Sequence, residues 1–147
     1  MLGGGSDLSL ESVYGQVLNE HNLHPFHKGE TEGATMMLEG KNPSCGDDIF
    51  LSLKVGEDGT IEDGSFQGSG CAISQASVDI MLDLVIGEKK ERALELCSEF
   101  MNMIQGKATP EEIEDLDEAG ALKDISHMPA RVKCAVLGWH TMEEMLK

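Results

Sequence analysis

The sequence predicts an α+β fold in which a small antiparallel sheet of about three strands packs against helices. Apolar and polar residues alternate from Ile49 to Val55, which is typical of a half-buried strand. The turn Gly56–Gly59 follows, and a second strand-like segment comes directly after it. Beyond Gln67 the apolar spacing changes to a helical period, so the strands precede most of the helices.

The amino-terminal part of the chain is predicted to contain a leader and one helix. Residues 1–7 are rich in glycine and are expected to form a flexible leader, and residues 8–147 are expected to form a single domain. Apolar side chains recur at helical spacing over residues 8–22, and Pro25 and Gly29 end this first helix.

Three strands are predicted next, over residues 34–38, 49–55 and 60–67. Gly64 is expected to mark a bulge in the third of them, because glycine inside a strand often does so.

Four helices are predicted in the rest of the chain. Two of them cover residues 73–86 and 88–105, with apolar stripes at helical spacing. A third begins with the capping sequence of residues 109–112 and is expected to end near Gly120. Pro129 is expected to start the last helix.

Composition excludes several classes of partner. The 147 residues include 27 acids and 11 bases, which gives a formal net charge of −16. Such a charge repels nucleic-acid phosphates and anionic membranes, and it permits steering toward a basic protein partner. For most of these acids the preferred interpretation is that they keep the protein in solution. No apolar run approaches the ~20 residues that span a membrane, and no signal peptide is visible. We therefore expect a cytoplasmic protein.

Three of the four cysteines stand at places that suit metal binding. Cys45 lies in a loop framed by Pro43 and Gly46, and Cys71 lies at a predicted helix start. Cys134 is expected in the first turn of the last helix, where the cations at Arg131 and Lys133 favour its thiolate.

Asp47 adds a carboxylate to these three sulfurs. Three thiolates and one carboxylate are sufficient to hold a tetrahedral zinc ion. For two of these cysteines a plainer interpretation also exists: an ordinary turn for Cys45, and a buried apolar position for Cys134.

The remaining candidate groups favour structural roles. Cys97 lies in the middle of an apolar helical stripe and is expected to be a buried core residue. His21, His24 and His27 recur every third residue, but Pro25 interrupts any helix through all three, so we expect exposed residues at a helix end.

The three cysteine segments together resemble a known family. They are Asn42-Pro43-Ser44-Cys45-Gly46-Asp47, Gly68-Ser69-Gly70-Cys71-Ala72-Ile73-Ser74, and Pro129-Ala130-Arg131-Val132-Lys133-Cys134. In this order they are similar to the iron–sulfur assembly scaffolds of the IscU/NifU N-terminal type, and the SufU branch is the nearest. The resemblance extends from about residue 14 to about residue 145.

This resemblance implies one metal site formed by Cys45, Asp47, Cys71 and Cys134. Lys133 stands where the cluster-building branch has a histidine, and residues 107–128 form an insertion; both features point to the SufU-like branch. Members of that branch hold zinc and accept sulfur from a cysteine desulfurase of the SufS type, which uses pyridoxal phosphate.

By the same resemblance, Cys45 is the sulfur acceptor, and downstream cluster scaffold proteins are expected partners. Arg131 is a candidate for orienting a ligand or docking the acidic groups of the partner. Three functional classes stay open at this point: a zinc-dependent sulfur carrier, a scaffold for a two-iron, two-sulfur (2Fe–2S) cluster on the same residues, and a structural zinc module.

Overall fold

The computed structural model describes residues 16–42 and 46–147. Three strands form one antiparallel sheet in the order β1 (Met36–Asn42), β2 (Asp47–Val55) and β3 (Ile61–Ser69). Helices pack against this sheet, so the predicted α+β class is confirmed. Strand β1 starts later and extends further than the predicted 34–38, because it pairs with β2 as far as Asp47. Pairing with the neighbouring strand therefore sets the bounds of β1, which the residues of β1 alone indicate only weakly.

The alternation in β2 separates a buried face from an exposed one. Ile49, Leu51 and Leu53 are fully buried, whereas Phe50 lies on the opposite face and is 45% exposed. The buried face directs the helices to one side of the sheet.

Gly64 was expected to mark a bulge, and this prediction is wrong. Gly64 pairs regularly with Leu53, and the register shift lies between Lys54 and Val55. A Cβ at Gly64 would lie 2.8 Å from Leu82 and 2.9 Å from Leu53, so close packing is the reason for this glycine.

The described helices follow the predicted order. Residues 16–23 are helical and form the described part of helix α1, and the earlier part of its predicted range lies outside the described residues. The long helices are α2 (Ala72–Val85), α3 (Lys90–Ile104) and α5 (Pro129–Leu146), as the apolar periods predicted. The predicted leader, residues 1–7, also lies outside the described residues.

The insertion between α3 and α5 forms two short helices. Helix α4 (Pro110–Asp115) starts with the predicted capping box, in which the Thr109 side chain accepts from the Glu112 N–H and the Glu112 side chain accepts from the Thr109 N–H. It does not continue to Gly120. Asp117 adopts a left-handed φ of 52°, which interrupts the α-helix, and a 3₁₀ helix (Asp117–His127) follows.

Helix α5 closes the core by packing on both α2 and β1. The Ser77 hydroxyl donates to the Ala135 carbonyl at 2.6 Å and accepts from Trp139 Nε1 at 3.1 Å. The Trp139 ring stacks on Phe100 at a centroid distance of 4.1 Å. These contacts fix the middle of α5 relative to α2 and α3.

Among the described residues, no helix has the length and apolar character that crossing a bilayer requires.

Candidate metal centre

Three side chains from three separate elements meet at one end of the sheet. Asp47 is the first residue of β2, Cys71 is the N-cap of α2, and Cys134 lies in α5. One ligand atom from each lies within 4.8 Å of the other two. All three residues were predicted as ligands from the sequence, and the fold brings them together. Cys45, the fourth predicted ligand, lies outside the described residues.

Within the described residues, Asp47 is held in place by one hydrogen bond, and its second carboxylate oxygen has no partner. Its side chain is buried, and its Oδ1 atom accepts from the Cys71 backbone N–H at 2.9 Å. Its Oδ2 atom is also buried and accepts no hydrogen bond from the described residues. A buried carboxylate oxygen without a partner is costly, and a bound cation removes this cost.

Two glycines allow this close arrangement. Gly68 has a φ of 123°, and a Cβ there would lie 1.9 Å from the Asp48 carbonyl oxygen. A Cβ at Gly70 would lie 2.5 Å from Asp47 Oδ1 and 2.5 Å from the Ser74 hydroxyl. Glycine at position 68 therefore lets β3 lie close to the β2 backbone, and glycine at position 70 lets the start of α2 approach the Asp47 carboxylate.

Cys71 has the environment of a stabilised thiolate. Burial by itself raises the pKa of this half-buried thiol. The nearby Asp47 carboxylate raises it further. The backbone N–H groups of Ser74 and Ile73 and the thiol of Cys134 outweigh both effects, so the pKa of Cys71 lies below its ordinary value. These N–H groups belong to the first turn of α2, where helical N–H groups have no intrahelical partner.

The position of Cys134 differs in part from the prediction. Helix α5 starts at Pro129, so Cys134 is in its second turn rather than its first, and it is fully buried. Cys134 was interpreted from the sequence either as a metal ligand or as a buried residue on the apolar face of the helix. In the structure it is buried on that face and also contributes to the cluster. Arg131 and Lys133, the neighbouring cations, are exposed.

Cys97 stands apart from the cluster, as predicted. It is fully buried in α3, and its thiol donates to the Trp139 carbonyl at 3.5 Å. Burial raises the pKa of Cys97 to about 12, so this thiol stays protonated at neutral pH.

The prediction of an exposed His21 is wrong. His21 is 1% exposed and lies between two carboxylates, with Nδ1 at 2.7 Å from Asp79 and Nε2 at 3.0 Å from Glu118. Asp79 also accepts from the backbone N–H of His27 at 2.8 Å. The sequence signal that was missed is Asp79 itself, an acid inside the apolar stretch of α2, which requires a buried partner.

The donor set of the cluster fits a metal ion that prefers sulfur ligands with a carboxylate. Thiolates select zinc, copper(I) or iron–sulfur groups, and a tetrahedral site with one oxygen ligand is within the range that zinc accepts. The structural observation that favours such an ion is the buried Asp47 Oδ2 atom, which has no hydrogen-bond partner in the described part of the chain.

The sequence segment that carries these ligands matches a known protein family. The model of the NifU-like N terminal domain matches residues 13–135, which is most of the chain and includes every predicted ligand. The chain belongs to the NifU-like N-terminal domain family. The IscU/NifU N-terminal resemblance seen in the sequence is therefore confirmed.

Relatives of this NifU-like chain carry names from iron–sulfur assembly. It is 41% identical to the iron–sulfur cluster assembly scaffold protein IscU of Streptococcus pyogenes serotype M1, over 94% of this chain and 85% of that protein. It is 38% identical to the zinc-dependent sulfurtransferase SufU of Bacillus subtilis strain 168, over 92% of this chain and 90% of that protein.

A solved structure supports the same assignment of fold. The crystal structure of a putative iron–sulfur cluster assembly scaffold protein for the SUF system, from Fervidobacterium islandicum AW-1, superposes with a TM-score of 0.83. It shares 38% identity and covers 90% of this chain and 95% of that one. The chain is thus a homologue of IscU and SufU proteins.

Proposed function

We propose that this chain is an iron–sulfur assembly protein that acts as a zinc-dependent sulfur acceptor. It takes persulfide sulfur from a SufS-type, pyridoxal-phosphate-dependent cysteine desulfurase in the cytoplasm and passes it to downstream scaffold proteins. The observation that carries the proposal is the cluster of Asp47, Cys71 and Cys134, together with an Asp47 oxygen that has no partner in residues 16–42 and 46–147. The similarity to a zinc-dependent sulfurtransferase supports it.

Cys45 is the proposed fourth ligand. It precedes Asp47 by two residues, so covalent geometry limits the separation of their Cα atoms to about 7.6 Å. Zinc bound by three thiolates and one carboxylate would keep the thiols deprotonated and ordered.

Sulfur transfer is a thiol–disulfide type of exchange. The Cys45 thiolate attacks the outer sulfur of the desulfurase persulfide and forms a new S–S bond. The original S–S bond breaks, and the desulfurase cysteine leaves as a thiolate. The proton on the outer sulfur stays with it, so the product is a Cys45 persulfide. Arg131, exposed at the start of α5, is proposed to dock acidic groups of the partner.

Cys45 is the proposed acceptor because the other candidates are fixed or buried. Cys134 is fully buried, and Cys71 is only partly exposed at the start of α2. The Cys71 backbone N–H also donates to the Asp47 carboxylate, which helps to fix the position of Cys71. By sequence, Cys45 lies between Pro43 and Gly46 in the connection of a hairpin, which is a common place for reactive groups.

The metal assignment is tested by elemental analysis of single alanine variants. We expect about one zinc ion per wild-type chain, as a single three-thiolate, one-carboxylate site implies. Cys45→Ala, Cys71→Ala and Cys134→Ala should lose most of the zinc, and Cys97→Ala should retain it. Undiminished zinc in Cys71→Ala would contradict the site.

The acceptor assignment is tested by mass spectrometry after incubation with the desulfurase and cysteine. One additional sulfur should appear on the peptide that contains Cys45, and Cys45→Ser should abolish both this adduct and the stimulation of the desulfurase. Full stimulation by Cys45→Ser would refute the assignment.

A second candidate function is a scaffold on which a 2Fe–2S cluster is built. The names of the IscU relatives favour it, and the same four ligands would serve. Lys133, in place of the histidine of the cluster-building branch, favours the sulfur carrier. The visible spectrum of the isolated protein with its metal content separates the two, since a cluster gives a brown protein and zinc a colourless one. A third candidate, a purely structural zinc module, predicts that Cys45 accepts no sulfur.

A further inference from the structure

A small groove beside the metal centre has a different electrostatic character from the other concavities. It measures about 190 Å³ and lies between the end of β1 and one face of α5. Its lining residues are Lys41, Asn42, Lys133, Val136, Leu137 and His140. No carboxylate belongs to this described lining. Four other concavities of the described surface each include at least one carboxylate.

The groove has cationic walls and an apolar floor. Lys133, Val136, Leu137 and His140 follow the spacing that places residues on one helix face. Val136 and Leu137 pack with the core and form the floor. The two lysines are exposed on either side of it.

The charges in the walls are available to a partner. Lys133 makes no ion pair with the described residues. Lys41 approaches Glu39 at 3.6 Å, but both side chains are exposed, and such pairs contribute little. His140 lies near Glu143 and Glu144, which are outside the lining.

The groove adjoins the metal centre on two sides. Lys133 directly precedes Cys134 in α5. Asn42 pairs across the sheet with Asp47, so the end of β1 lies beside a second described ligand. A segment seated in the groove would therefore hold its protein next to the site.

We propose that this groove docks a short acidic segment of the persulfide donor, with an apolar side chain on the floor and carboxylates toward Lys41 and Lys133. This inference rests on the proposed function. The net charge of −16 repels acidic segments from most of the surface, so a cationic groove fixes where and how such a partner lands. The volume is below the ~300–1,000 Å³ typical of small-molecule sites, which favours one or two side chains of a protein.

The test reverses the charge of the groove and of a matched control. The test protein is Lys41→Glu/Lys133→Glu, and the control is Lys90→Glu/Lys123→Glu, whose exposed lysines make no ion pair with the described residues. Both proteins carry the same change in net charge. Zinc content is measured first, so that transfer rates are compared at equal loading.

Sulfur transfer from a SufS-type desulfurase is then followed while the concentration of this chain is varied. For the groove variant we expect KM to rise roughly tenfold at low salt, and the difference from wild type to shrink at high salt. The control should stay within about twofold of wild type, since distant charges act weakly. A charge reversal in an acidic segment of the donor should restore the KM of the groove variant.

The outcomes separate this inference from the proposed function. If wild type accepts no sulfur, the proposed function fails and this inference fails with it. If wild type accepts sulfur but the groove variant matches the control, only the docking inference is overturned. Inhibition of transfer by inorganic phosphate at matched ionic strength, in wild type but not in the groove variant, would assign the groove to a small anion and also overturn it.

Discussion

Gly70→Ala should weaken metal binding without removing any ligand. The new Cβ would lie 2.5 Å from Asp47 Oδ1, and an ordinary contact begins at 3.4 Å, so the carboxylate must retreat by about 0.9 Å. A retreat of this size breaks the 2.9 Å hydrogen bond from the Cys71 N–H. A hydrogen bond to a charged group contributes about 1.5–3 kcal/mol, which corresponds to a loss of roughly 10- to 100-fold in zinc affinity.

Competition with a chromophoric chelator measures this affinity. Gly64→Ala is the matched control, because its Cβ would clash at 2.8 Å with Leu82 in the core. We expect Gly64→Ala to lower the free energy of unfolding of the metal-free protein and to leave zinc affinity close to wild type. Equal zinc affinity in Gly70→Ala and wild type would refute the role of Gly70 in placing the carboxylate.

Three further predictions concern stability and its optical reporter. Burial lowers the pKa of His21, but hydrogen bonds to Asp79 and Glu118 outweigh it and raise this pKa above 6.5. The stabilisation that protonated His21 gives the folded state is therefore complete below pH 6.5 and is lost as pH rises through the folded pKa. The free energies of unfolding in urea of metal-free wild type and His21→Gln should then converge at high pH. Chelation of zinc should lower Tm by several degrees, because an ion that binds only the native state stabilises it; identical calorimetric curves would contradict this. Chelation should also change the fluorescence emission of Trp139, the only tryptophan in the sequence. The Trp139 ring donates to the Ser77 hydroxyl, and Ser77 donates to the carbonyl of Ala135, the residue after Cys134. Ser77→Ala should therefore reduce this response.

Local patterns in the sequence were sufficient for most elements. Strand β2 and helices α2 and α3 have clean apolar periods, and the Thr109 capping box is a local motif, so each could be predicted from a few neighbouring residues. The ligands Asp47, Cys71 and Cys134 were identified from motifs, and the fold brings them within 4.8 Å.

Features that depend on distant contacts could not be predicted. The burial of His21 depends on Asp79, which is 58 residues away, and the glycine at position 64 is required by Leu82 in another element. The break after α4 depends on the left-handed backbone of Asp117, a conformation that aspartate adopts only occasionally.

The packing of α5 has a consequence for the order of folding. The two hairpin pairings of the sheet are local, whereas α5 reaches α2 only through contacts such as Ser77 to Ala135, 58 residues apart. Loop closure makes such distant contacts form late, and during synthesis the Cys134 segment emerges last of the three described ligands. The described cluster is therefore complete only when the core itself has closed, so a nascent chain presents separate thiols and carboxylates but no finished site to free metal ions.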